Sequence, residues 1–148
     1  MPNPLIRKVK EQGLADHIQI IDAPPGTSCS FVETISDADL VILVTEPTPF
    51  GLHDLKISVE VARARGRSIC VVINKDNGIF RPLEKFLEER QLTITARLPE
   101  NRKVAEVYSE GNILLEELPD YRAHFSSIAT QVFRQFENPG HSPTGVLP

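Results

Sequence analysis

The chain has 148 residues, 41% of them hydrophobic and 24% charged, with a formal net charge of -4. That is the size of one globular domain with a core of its own. The balance gives no footprint for nucleic acid, because the densest basic stretch is only Arg7, Lys8 and Lys10, with Glu11 and Asp16 close behind. No apolar run is long enough for a membrane span, and Met1–Lys10 lacks a signal-peptide core, so no membrane partner is expected and cytoplasm is the expected compartment.

In chain order, Met1–Asp16 reads as one short helix. Ile18–Ile21 reads as a buried strand that ends in the carboxylate of Asp22. The turn after it holds Pro24 and Pro25, which stiffen it, and Gly26, whose amide is presented in a fixed direction. The hydroxyls of Thr27 and Ser28 follow, and Cys29 lies in the same loop. A strand-end carboxylate is placed to hold a magnesium ion, and a free loop amide is placed to sense a terminal phosphate. Asp22 as a cap of the following turn or helix is the alternative.

Leu40–Val44 is a second apolar run, and Ile69–Ile73 a third, with Cys70 inside it as a small core residue. Nearly continuous apolar runs suit parallel strands covered on both faces. Leu92–Leu98 alternates apolar with Thr93, Thr95 and Arg97, which predicts a strand with one wet face near a sheet edge. Leu52, Leu55, Val59 and Ala62 predict a helix that stops at Gly66. Leu83, Phe86 and Leu87 predict a helix after Pro82, and Val104, Val107 and Tyr108 a short one ending near Gly111. Tyr121, Phe125, Ile128, Val132, Phe133 and Phe136 form the strongest apolar stripe, a core or docking face. The domain is expected to run from residue 1 to 138, with 139–148 a disordered tail.

Strands alternating with helices predict an α/β fold with a parallel sheet of about four strands. In such sheets ligands bind beyond the carboxyl ends of the strands. Glu46, after the second strand, is placed to contact a ligand or a partner subunit, or stands as a solvated loop carboxylate. Asn74 offers an amide that matches a purine edge, and Lys75 a stem to lay over a base, against the alternative of an Asx-rich turn. Pro99 is placed to wall a base pocket, while Glu100 serves either there or as an acid in the first turn of a helix. The guanine-reading pattern Asn-Lys-x-Asp fails at Asn77, and Asp22 and Gly26 are one residue too far apart for a Ras-like switch. Adenine is the better match. The histidines His17, His53, His124 and His141 are scattered, and no C-x-x-C pair occurs, so no zinc site and no iron–sulfur cluster is expected from this chain.

Together, Ile20–Cys29, Ala38–Thr48, Gly51–Leu55, Val71–Lys75 and Tyr108–Gly111 resemble, in order, the MinD/ParA/Mrp superfamily of P-loop ATPases, closest to its ferredoxin-containing branch. The resemblance covers roughly Ile18 to Glu117. It implies a partial P-loop NTPase fold of Rossmann-like, three-layer type, and ATP with Mg2+ as cofactors. Asp22 would support the magnesium ion, and Pro25, Gly26 and Thr27 would form the switch near the terminal phosphate. Asn74, Lys75, Pro99 and Glu100 would contact the base. The family opens with a strand and a glycine-rich loop whose lysine cradles the phosphates; nothing before Asp22 matches it. The resemblance therefore implies the C-terminal half of such an ATPase, with no catalytic residue acting in isolation. A chain carrying the N-terminal half, or a homodimer, would be the partner, in a nucleotide-gated switch linked to iron–sulfur or metal-cofactor handling. The alternatives are a non-catalytic interaction module on the same fold and a gene fragment.

Overall fold

The computed structural model describes residues 4–13, 17–23, 29–78 and 80–137, with side chains through residue 134. Pro25, Gly26, Thr27 and the tail 139–148 lie outside the described residues. Helices α1 (Pro4–Glu11) and α2 (Cys29–Ile35) precede β1 (Leu40–Thr45). Then come α3 (Pro49–Ala64), β2 (Ser68–Asp76), α4 (Arg81–Glu89) and β3 (Ile94–Pro99). The last described elements are α5 (Arg102–Ser109), α6 (Leu114–Glu117), a turn of 3-10 helix at Pro119–Tyr121, and α7 (Arg122–Glu137).

Among the described residues the sheet has three parallel strands in the order β1-β2-β3, flanked by helices in a Rossmann-like three-layer arrangement. The α/β parallel architecture agrees with the sequence, and β3 sits at an edge as its alternation predicted. The count of strands does not. Ile18–Ile21 forms no strand, and Ile20 is 91% exposed. A short apolar run becomes a strand only when it pairs with a neighbouring strand, and Ile18–Ile21 pairs with none among the described residues.

Alternation explains the layers. Val41, Leu43, Val71 and Ile73 share one face, because Val41 pairs with Ile69 and Leu43 with Val71 in register. They pack with Leu52, Leu55 and Val59 of α3, Leu83 and Leu87 of α4, and Phe31 and Ile35 of α2 in a single core. Burying each such side chain contributes roughly 1.5–3 kcal/mol. Cys70, Val72 and Ala96 lie on the opposite face, which α7 covers over β3. Burial pushes the Cys70 thiol up, as befits a core cysteine. Over β1 no described element covers that second face: Ile42 is exposed and Val44 is 64% exposed. β1 is thus covered on one face, where its composition predicted two. The polar side of β3 is wet only in part, at exposed Thr93 and at Arg97. The Thr95 hydroxyl is buried, and Arg97 is held in ion pairs.

The predicted helix stops occur where glycine was read. At the end of α3 the Gly66 amide donates to the Arg63 carbonyl and the Arg67 amide to that of Ala62, with Gly66 at a φ of 65°. Gly111, at a φ of 75°, ends α5 in the same way.

Candidate functional site at the carboxyl ends of the strands

Parallel strands bring Thr45-Glu46, Asn74-Lys75-Asp76 and Pro99-Glu100 to one end of the sheet. The end of β2 is irregular. From Ile73 to Asp76 it advances three residues while β3 advances two, from Arg97 to Pro99. The extra residue is a bulge, and Lys75 within it has a φ of 50°. A left-handed backbone at a residue with a β-carbon costs about 1–2 kcal/mol, so the surrounding contacts must hold it.

Lys75 Nζ lies 2.8 Å from Glu46 Oε1, joining the ends of β1 and β2. The hydrogen bond and charge of Glu46, and more weakly the charge of Glu100, hold the Lys75 ammonium above its ordinary value. The Glu100 amide donates to the Asp76 carbonyl at 3.4 Å. Arg97 donates to Asp76 Oδ2 at 2.9 Å and grips both oxygens of Glu84 on α4, at 2.9 and 2.7 Å. Asp76 Oδ1 accepts the Gly78 amide at 2.8 Å. Burial alone would raise the Asp76 carboxyl, but the bonds from Arg97 and Gly78 outweigh it and hold it below its ordinary value. On the far side of β3 the Tyr121 hydroxyl donates to the Pro99 carbonyl at 3.1 Å.

A cleft of about 410 Å³ opens between the end of β1 and the first turns of α3, with Asn74 and Glu46 in its lining. Its shape depends on Gly51. A β-carbon at Gly51 would fall well inside contact with the Glu46 carbonyl oxygen, and 3.0 Å from Thr45 Oγ1. Only glycine lets α3 start this close to the strand. Thr48 caps the helix by accepting the Gly51 amide at 3.0 Å.

Of the residues singled out in the sequence, Asn74, Lys75, Pro99 and Glu100 come together, with Glu46 beside them. Asp22 is exposed, and no described contact ties it to the strand ends. Among the described residues no group of three or more His, Cys, Asp or Glu side chains is placed to hold a metal ion. Sequence reasoning missed Asp54 and Ser58, which also line the cleft. Their spacing of four, beside the apolar stripe of α3, was the signal available. It also missed Arg97 as a clamp, having read it as one more solvated position.

No protein-family model matches the chain, and no solved structure matches it. It is similar to the uncharacterized protein MJ0579 of Methanocaldococcus jannaschii, 27% identical over 130 residues, which is 86% of this chain and 45% of that protein. It is also similar to the uncharacterized protein MJ0578 of the same organism, 33% identical over 69 residues, covering 45% of this chain and 25% of that protein. The matched region is thus less than half the length of each of these curated relatives.

Proposed function

We propose that the chain is the base-binding part of an ATP-dependent switch of the MinD-like type, completed by a segment or chain that carries the phosphate loop. The bulge at the end of β2 carries this reading. It sets a strained Lys75 and the Asn74 amide beside Glu46 and Glu100, at the end of a parallel sheet where nucleotides bind. The groups present suit a base and ribose: one amide, one ammonium already paired with Glu46, and the carboxylates of Glu46, Asp54 and Glu100. They do not suit a triphosphate, which those carboxylates repel. Among the described residues Asp22 belongs to no group of three or more His, Cys, Asp or Glu side chains. Hydrolysis by these residues alone is therefore not part of the reading. The greater length of the archaeal relatives supports further segments around the matched region. A link to iron–sulfur or metal-cofactor handling rests on the sequence resemblance. The bare face of β1 favours a second reading, a non-catalytic interaction module on this fold.

Two titrations test the proposal. Calorimetry with Mg-ATP should give no binding at micromolar concentration, and micromolar binding that vanishes in Asp22→Ala would overturn the need for an outside phosphate loop. Adenosine at millimolar concentration should shift the amide resonances of Asn74, Lys75 and Glu100, with guanosine much weaker. Absence of those shifts, or equal shifts with guanosine, refutes the adenine site.

A further inference from the structure

The outer edge of β1 pairs with no strand among the described residues, although Leu40–Thr45 is a run of strong strand formers. Natural sheets protect such an edge with charge, proline or a cover. Here the strand itself carries no charge, Val44 and Ile42 are exposed on its bare face, and Phe50 stands 85% exposed at the start of α3. An edge left apolar and open on both counts is shaped to receive a strand.

The chemistry of the surroundings says what kind. The cleft beside this edge is lined by the carboxylates of Glu46 and Asp54, and by no Lys or Arg among its described lining residues. Asp39 stands exposed at the other end of β1. A second copy of the chain fits badly. Antiparallel pairing of two β1 edges would set Asp39 of each against Glu46 of the other, carboxylate against carboxylate. The chain's own Ile18–Ile21 run fits no better: it holds no Lys or Arg and ends in Asp22, one more carboxylate for the acidic rim.

We infer that the β1 edge and its acidic cleft receive an extended segment of a partner polypeptide, apolar along one side and bearing a Lys or Arg that meets Glu46 and Asp54. The backbone ladder supplies the affinity and the cation sets the choice of partner. The inference rests on the reading above for the statement that the site is completed from outside the chain, and it names the place and the chemistry of that completion. Lys75 is then the group displaced: its ion pair with Glu46 is exposed, and an incoming cation exchanges for it.

The test uses the whole chain and synthetic peptides. One alternates valine and threonine with lysine near each end; a second has glutamate for lysine; a third is the lysine peptide with a central proline. Amide exchange at Leu40–Thr45 is the readout. The lysine peptide should slow that exchange saturably and bind roughly tenfold more tightly than the glutamate peptide, and the proline peptide should fail. Glu46→Gln combined with Asp54→Asn should abolish the preference for lysine. Three results overturn the inference: no protection by the lysine peptide, equal protection by the glutamate peptide, or β1 amides already protected in a homodimer detected by light scattering. No nucleotide enters any arm, so failure here leaves the adenosine titration standing, and failure there leaves this docking standing.

Discussion

Gly51→Ala separates local propensity from packing, because the two predict opposite signs. Gly51 lies in the first turn of α3. By propensity alone, alanine at a helical position gains about 0.8–1 kcal/mol over glycine. The structure says otherwise. The new methyl carbon would overlap the Glu46 carbonyl oxygen and press on Thr45 Oγ1 and Glu46 N, at 3.0 and 3.1 Å. Two of these atoms are backbone, and Thr45 is buried, so little can give way. Overpacking of this kind costs about 1–3 kcal/mol. Subtracting the propensity gain leaves an expected destabilisation of up to roughly 2 kcal/mol. The displaced segment carries Glu46, so its pair with Lys75 at 2.8 Å should loosen too. Urea unfolding followed by circular dichroism measures the first effect; the Lys75 and Asn74 amide shifts report the second. A Gly51→Ala variant as stable as the parent, with those shifts unmoved, would refute the close approach of α3 to β1.

Two further expectations follow from ion pairs. Arg97→Ala leaves the Asp76 carboxylate, 12% exposed, without its charged partner. The cost is about 1–3 kcal/mol, toward the lower end because Arg97 itself is 37% exposed. Asp76 has a depressed carboxyl, so its contribution is complete above the ordinary carboxylate value and is lost as pH falls through the folded value. The urea midpoint should therefore fall less between pH 7 and pH 3 in Arg97→Ala than in the parent, and an unchanged acid dependence counts against the clamp. Helix α1 buries no residue; it is tied to α2 by Arg7–Glu33 at 2.8 Å and by Lys10 to the Glu33 carbonyl at 2.7 Å, and to the turn after α2 by Lys10 to Asp37. Salt at 1 M shortens the screening length to about 3 Å, so amide exchange in α1 should speed up while that of β2 stays fixed. Lys10 holds the Asp37 carboxyl below its ordinary value, so the same release should occur as pH falls through the lowered, folded-state value.

What the sequence made legible is what is set by neighbours along the chain. Helix α3 could be read from its apolar stripe and from Gly66, because the residues that end it are the ones that need a positive φ. The two L-residues at positive φ, Lys75 and Gln91, left no such sign. Gln91 stops α4 as glycine would, with the Leu92 amide returning to the Leu87 carbonyl at 2.9 Å. Lys75 takes its conformation from the bulge against β3 and from the Arg97 clamp, both contacts across the sheet. Helix α2 was readable and missed: Phe31, Thr34 and Ile35 are its buried residues, spaced by three and four, but the polar loop before it drew attention away.

The strand that failed to form carries the wider lesson. Ile18–Ile21 and Leu40–Thr45 are similar runs by composition, and only the second is in the sheet. Helix hydrogen bonds close within a segment, whereas a strand's bonds close on another strand. A sequence pattern can therefore mark a run as fit for a sheet without saying whether the neighbouring strand lies in the same chain. β1 has its neighbour in β2 and an open edge on its other side. Ile18–Ile21 has none among the described residues, and it leaves Ile18 and Ile20 exposed. A partner strand laid on β1 would itself bring a new edge for Ile18–Ile21 to pair with. On this argument, order in residues 18–21 should appear only after the β1 edge is filled, so protection of the Ile20 amide should follow, and never precede, protection of the Val44 amide.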